Sequence, residues 1–374
     1  MTARLFEPLE LRGVRLPNRI VVAPMTQFSA DDGVAGDWHL MHLGQFAVSG
    51  AAMVLTESTY VAATARNAPS CLSLYSDEQE AAVARIAGFF SAHSDGAFGV
   101  QLCHAGRKAS AREPWQGGGP LPLEEGGYEA VAPSAVPISK SWPSPTPLSA
   151  EAIGGVVQAF VDAARRAHRA GARVIELHGA HGYLIHQFLS PLTNQRNDEY
   201  GGGLENRMRF ALEVFDAVRA VWPEDLPIGI RVSATDWVDG GWSVEETIAL
   251  ARALVALGCD YIHVSSGGLS PAQKITVGPG YQTPFAAAVK SAVDMPVITV
   301  GQISNPYQAE TILQTGQADM VALARPMLFN PRWVWHAAHE LGEPVRYPRQ
   351  YERGHPARWG AGGINAPGNL VPDK

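Results

Sequence analysis

The chain has 374 residues, of which 46% are apolar and 17% charged, and its formal net charge is −7. That balance supports a sizeable buried core and excludes global disorder. The acidic excess argues against a nucleic-acid binder, and no apolar run reaches the roughly 18 residues of a membrane-spanning helix.

From Met1 to Arg19 the sequence mixes Glu, Arg and Pro, with no apolar stretch of signal-peptide type. Cys71, Cys103 and Cys259 stand far apart without paired spacing, which argues against a disulfide framework, a zinc ribbon or an iron–sulfur cluster. A soluble, cytoplasmic protein is expected. Short apolar, β-branched runs then alternate with helical patterns. Strands are expected over Ile20–Ala23 and Met53–Thr56, a helix over Gln79–Ser91, and a strand over Phe98–Leu102. The Gly- and Pro-rich stretch Lys108–Pro147 breaks the rhythm and reads either as a surface excursion or as part of a site's mouth. A helix over Ala150–Ala170, capped by Gly171, leads to a strand over Val174–Leu177. Next come a helix over Glu205–Val221, a strand over Pro227–Val232, a helix over Val244–Leu257 and a strand over Tyr261–Val264. The series ends with strand Val297–Val300, helix Asn305–Gln314 and strand Met320–Leu323. After Pro344 the tail carries Tyr347, Tyr351, Arg353 and Trp359, too aromatic for a simple disordered end.

Continuous apolar strands suit a parallel sheet covered on both faces. Eight of them with helices between predict one α/β domain over residues 1–374, a TIM (β/α)8 barrel. A doubly wound dinucleotide fold would carry GxGxxG after an early strand, and no such run is present.

Barrels collect function at the C-terminal ends of their strands. The fourth strand ends in His178-Gly179-Ala180-His181-Gly182-Tyr183. Imidazole N–H groups hold a carbonyl oxygen and stabilise charge developing on it, and a tyrosine hydroxyl supplies a proton. Taken alone, the two histidines also read as metal ligands or as a satisfied core pair. Arg231 lies inside an apolar strand, where it needs either an internal carboxylate or an anionic ligand such as a reduced flavin. Gln101, at the end of the third strand, offers a donor and an acceptor that suit a pyrimidine edge. The last two strands end in Val300-Gly301-Gln302 and Ala322-Leu323-Ala324-Arg325, where barrels hold phosphate on backbone N–H groups.

With these residues in view, the sequence resembles the old yellow enzyme family of flavin-dependent ene-reductases, and within it the short bacterial xenobiotic-reductase, thermophilic-like subgroup. The resemblance runs from Leu5-Phe6 to about Gly354. It rests on Leu16-Pro17-Asn18-Arg19-Ile20 with Ala23-Pro24-Met25, and on Asp37-Trp38-His39 with His42-Leu43-Gly44, which is similar to the helix after the first strand. It rests above all on His178 to Tyr183 continued by Gln187-Phe188-Leu189-Ser190-Pro191, Asn194, Arg196, Asp198, Tyr200-Gly201-Gly202 and Glu205-Asn206-Arg207. It implies a tightly bound FMN, NAD(P)H as reductant, and an activated alkene (an enone, maleimide or nitroalkene) as hydride acceptor. By the same resemblance, His178 and His181 bind the substrate oxygen and Tyr183 gives the proton. Ala23, Pro24, Thr26, Ser58, Gln101 and Arg231 meet the flavin ring, while Gly301, Gln302, Ala324 and Arg325 form its phosphate end. Phe28 and Trp359 line the substrate pocket. The run Tyr351-Glu352-Arg353-Gly354 looks like the segment that reaches a neighbouring active site, so residues 345–374 are expected at the interface of a homodimer or homotetramer.

Three positions depart from the subgroup. Thr26 stands where Cys is usual, Phe28 where Tyr often contacts substrate, and Gln302 where some relatives carry Trp. A hydroxyl and a thiol hydrogen-bond differently, which bears on the flavin potential. A dihydroorotate- or 2-hydroxy-acid-oxidising flavoprotein would need a different base. A dienoyl-reductase or amine-dehydrogenase relative would need a Cys cluster and further domains. A flavin- or steroid-binding protein without turnover is the alternative outside enzymes.

Overall fold

In the computed structural model, which describes residues 2–358, eight parallel strands close into a barrel whose spatial order follows the chain. They are β1 Ile20–Val22, β2 Met53–Tyr60, β3 Ala97–Cys103, β4 Val174–Gly179, β5 Ile228–Ser233, β6 Tyr261–Ser265, β7 Val297–Val300 and β8 Met320–Leu323. One principal helix follows each strand: α1 Asp37–Ala47, α2 Asp77–His93, α3 Ala150–Arg169, α4 Leu204–Arg219, α5 Val244–Ala256, α6 Thr283–Lys290, α7 Pro306–Gln314 and α8 Trp333–Leu341. This is the TIM barrel expected from the alternation of patterns. No helix among the described residues is long and apolar enough to cross a membrane.

Local chemistry sets the helix ends. Ser76 and Ser243 accept from the N–H groups of Gln79 and Glu246, whose side chains reach back in capping boxes. Asn305 caps α7 by accepting from Tyr307 and Gln308. After α3, Gly171 adopts φ +92°, so that its N–H reaches His168 and the N–H of Ala172 reaches Ala167. A residue with a Cβ would be strained in that left-handed turn.

Three features differ from the periodicity. β2 runs four residues beyond Thr56 to Tyr60 because Glu57, Ser58 and Thr59 are buried with partners, and a polar run reads as a strand's end. A register shift between Leu55 and Ser58 marks a bulge there. Helices α6 and α8 carry weak signals: α6 is short with Pro near its start, and α8 mixes aromatics with apolar residues on several faces. Finally, Leu9–Leu11 and Val14–Leu16 form a hairpin on the lower end of the barrel. The Gly13 N–H donates to Asp225 O, Arg12 pairs with Asp260, and Leu11, Val14 and Leu16 are buried.

Candidate active site

The three side chains at the end of β4 converge. The His178 ring meets the Tyr183 ring at 4.9 Å and the His181 ring at 5.1 Å, both edge to face. The Ala180 N–H donates to His178 Nδ1, which puts the imidazole proton on Nε2. His181 adopts φ +56° and its backbone N–H donates to Ser233 Oγ. Its Nε2 lies 2.7 Å from Ser265 Oγ, and when that hydroxyl donates, Nδ1 carries the proton that a ligand oxygen needs. Burial lowers the pKa of both histidines well below the ordinary value, and Arg231 lowers it further. They are neutral N–H donors. Burial raises the pKa of Tyr183, so its hydroxyl keeps a proton to give. Among the described residues no group of three His, Cys, Asp or Glu side chains is arranged to hold a metal.

Two elements that sequence reading missed hold this turn in place. His186 accepts from the Gly182 N–H through Nδ1, and its Nε2 sits 2.8 Å from Asp236 Oδ1, both residues being fully buried. Ser190 Oγ and the Trp242 N–H donate to the other Asp236 oxygen at 2.6 and 2.7 Å. Burial raises the Asp236 pKa, but His186 and these donors outweigh it and hold the carboxyl below its usual value. Lys108 donates to the carbonyls of His181 at 2.7 Å and Gly268 at 2.5 Å, and its ammonium lies 5.6 Å from the centre of the Tyr183 ring. Burial, and after it Arg107, lowers the Lys108 pKa to about 8.

Beneath the mouth the barrel interior is polar. Ser58, Gln101 and Glu176 are paired across β2, β3 and β4, and His178, Arg231 and His263 across β4, β5 and β6. Ser58 Oγ donates to Gln101 Oε1 at 3.1 Å, and Gln101 Nε2 donates to Glu176 Oε1 at 2.7 Å. The other Glu176 oxygen lies 2.9 Å from His263 Nδ1. Arg231 is 8% exposed, makes no hydrogen bond or ion pair with another described residue, and leaves its Nε buried without a partner. An internal salt bridge therefore does not account for it, although Glu176 is near enough to favour its charge.

After β7, where a phosphate end is expected, Gly301 adopts φ +123°, and a Cβ there would meet Gln282 Nε2 at 2.6 Å. Gln302 beside it also has positive φ, at +54°, and is exposed. Ala324 precedes the short helix Arg325–Phe329, and Arg325 is exposed with no ion pair among the described residues. Along the loop after β1, Ala23 is buried and Pro24, Thr26 and Phe28 are partly exposed. The Gln27 N–H next to Thr26 donates to Glu57, which faces His39 at 3.2 Å in a second buried pair. Phe28, at φ +48°, packs edge to face on Trp115 at 5.6 Å, so the excursion after β3 packs against the loop after β1. Arg107 anchors that excursion through the carbonyls of Val136, Pro137 and Leu269. Arg353 is not brought into this cluster: it is exposed on the turn Arg349–Gly354, whose Tyr351 stacks near Trp335 and Arg332. Trp359 lies outside the described residues.

The donor set fits FMN. An orphaned buried guanidinium suits the electron-rich end of the ring system, and the Gln101 amide keeps one N–H and one lone pair for a pyrimidine edge. The family model described as NADH:flavin oxidoreductase / NADH oxidase matches residues 4–343. A protein named NADPH dehydrogenase from Geobacillus sp. (strain WCH70) is 43% identical over 356 residues, covering 95% of this chain and 99% of its own. The solved structure of morphinone reductase superposes with a TM-score of 0.77 at 29% identity, covering 92% of this chain and 91% of that one. A 2-naphthoyl-CoA reductase superposes with a TM-score of 0.81 at 25% identity over 92% of this chain, which spans only 53% of that longer protein. The chain belongs to the NADH:flavin oxidoreductase / NADH oxidase family, that of the old yellow enzymes, and is an NAD(P)H-dependent flavin oxidoreductase of its bacterial thermophilic-like subgroup.

Proposed function

We propose that this protein is an ene-reductase that reduces the C=C bond of enones, maleimides and nitroalkenes. The observation that carries the reading is the convergence of two neutral imidazoles and a protonated phenol at one strand end, over a floor containing Gln101 and Arg231. Gln101, Ser58 and Arg231 hold the ring of a tightly bound FMN, the loop Ala23 to Thr26 covers its edge, and Gly301, Gln302, Ala324 and Arg325 hold its phosphate. When bound, FMN would supply hydride transfer from NAD(P)H to the alkene β carbon.

The protein's own part is orientation and proton supply. His178 Nε2–H and His181 Nδ1–H bind the carbonyl or nitro oxygen and stabilise the negative charge that grows on it. Tyr183 Oη gives its proton to the α carbon and is reprotonated from solvent, which balances the addition of H⁻ and H⁺. Phe28 and Trp115 wall the mouth. The described part of the tail, residues 345–358, forms part of a homodimer or homotetramer interface and brings Arg353 to a neighbouring site. The three cysteines are buried and unpaired, as suits the reducing cytoplasm.

An anaerobic absorbance titration tests the reading. NADPH or NADH should bleach the flavin, and an enone, maleimide or nitroalkene should restore its colour. A flavin that bleaches but is reoxidised by none of these acceptors defeats the ene-reductase assignment.

A further inference from the structure

The interior of a TIM barrel is usually packed with branched apolar side chains. Here a carboxylate, an imidazole, an amide and a guanidinium share it. Glu176 and His263 are fully buried, and neither lies in the turn that carries His178, His181 and Tyr183. Burying a carboxylate is costly unless its oxygens are satisfied, and a costly group kept in place has a use.

Both Glu176 oxygens are acceptors, one for Gln101 Nε2 at 2.7 Å and one for His263 Nδ1 at 2.9 Å. Burial lowers the His263 pKa, so the imidazole is neutral and its Nδ1–H points at the carboxylate, leaving Nε2 without a partner. Glu176 is thus an anion held by two neutral donors. Gly229, between β4 and β6, leaves room for the Tyr261 ring, which a Cβ there would meet at 2.4 Å.

Two consequences follow for Gln101. Its Nε2 must face the carboxylate, and its Oε1 must face the Ser58 hydroxyl, which donates at 3.1 Å. A flipped amide would turn its oxygen to the carboxylate and lose that bond, while the Ser58 hydroxyl can accept as well as donate. The amide therefore presents one N–H and one lone pair in a set order. The second consequence concerns charge. Arg231 has no hydrogen-bonded counter-ion, and the carboxylate that favours its charge is Glu176. The pair is close to neutral before any electrons arrive, so Glu176 offsets much of the attraction that Arg231 would exert on added negative charge.

We propose that Glu176 is a positioning residue for the cofactor, locking the Gln101 amide for recognition of the flavin pyrimidine and holding the flavin potential down by offsetting Arg231. This rests on the FMN reading above. Glu176→Gln keeps an acceptor for Gln101 and removes the charge. The full-length protein loaded with FMN should then favour reduced over oxidised flavin about tenfold more than wild type, which for a two-electron couple is a rise of about 30 mV. Ser58→Ala changes no charge and removes both the hydroxyl bonded to Gln101 Oε1 and the contact assigned to Ser58 on the ring. It should weaken FMN binding several-fold and leave the potential where it was. Dye-equilibrated spectroelectrochemistry and FMN fluorescence titration read the two quantities. Should Glu176→Gln not fold, Ser58→Ala still decides the amide-locking half. An unchanged potential in folded, FMN-bound Glu176→Gln overturns the charge role, and unchanged FMN affinity in Ser58→Ala overturns the locking role. Wild-type protein that takes up no FMN overturns the cofactor reading itself along with both.

Discussion

The imidazole of His178 and the phenol of Tyr183 meet edge to face with their ring centres 4.9 Å apart, one residue at the end of a strand and the other in the turn beyond it. An oxygen bound to His178 Nε2–H would therefore be close to the hydroxyl proposed to supply the proton. Burial keeps that hydroxyl protonated. Tyr183→Phe should slow alkene reduction by about 100-fold, the low end of what a positioned acid contributes. Reduction of the flavin by NAD(P)H should be spared. Stopped-flow measurement of the two half-reactions checks this, and equal loss in both would contradict the assigned role.

Lys108 gives the pH dependence a sign. Its pKa falls from about 10.4 in a free chain to about 8 in the folded protein, through burial and then Arg107. Between these values the unfolded chain holds a proton that the folded protein has released, so this group makes stability rise with pH across that window. Below it both forms are charged and the burial cost is felt in full. Activity should move the other way, because the ammonium that ties His181 O to Gly268 O is lost above about pH 8. Wild-type turnover should fall on an alkaline limb near that value, and Lys108→Met should lose the limb. An unaltered profile in the variant would rule out Lys108 as its source.

Asp236 and His186 tie the turn after β4 to the loop after β5. Asp236→Asn leaves His186 buried without its anion and should cost about 3 kcal/mol, the scale for breaking a buried pair. Urea unfolding measures the loss. The Asp236 carboxyl is held below its ordinary pKa of about 3.9, so its contribution is complete above that pH and is lost as pH falls through the lower folded value. The acid-side decline of wild-type stability should be shallower in the variant.

Thr26 follows Met25 in the loop after β1, beside a Gln27 N–H pinned by Glu57 at 3.1 Å. The backbone there is held, so Thr26→Cys exchanges one hydrogen-bonding group for another with little movement. We expect a measurable shift in the flavin midpoint potential. Identical potentials for the two proteins would remove Thr26 from the residues that tune it.

Arg353 stands exposed on a segment whose rings pack against α8. Arg353→Ala should raise KM for an enone several-fold with little change in kcat for flavin reduction, and the oligomer should persist on size exclusion. A wild-type monomer with full activity would defeat the shared-site idea.

Much of this protein is determined along the chain itself. The eight strands were legible because each is a short apolar run between helical patterns, and the observed strands begin within one residue of the expected ones. His178, His181 and Tyr183 were legible because they sit together at a strand end. The resemblance to a family of known chemistry supplied the roles, which residue spacing left open between oxygen binding, metal binding and core packing.

Tertiary structure alone decided the partners. Gln101 and Glu176 are 75 positions apart, and His263 is 87 positions from Glu176. Only the register of neighbouring strands brings them into one layer. Asp236 under His186, Ser265 against His181 and Lys108 on the His181 carbonyl likewise depend on which loop ends share a rim. A buried polar residue looks like a surface one in sequence, because its burial is made affordable by a donor or acceptor elsewhere in the chain. For the same reason β2 continued through Glu57, Ser58 and Thr59, where the alternation of residue types marked an end. Periodicity reports which side chains avoid water; the closed barrel decides which polar ones avoid it together.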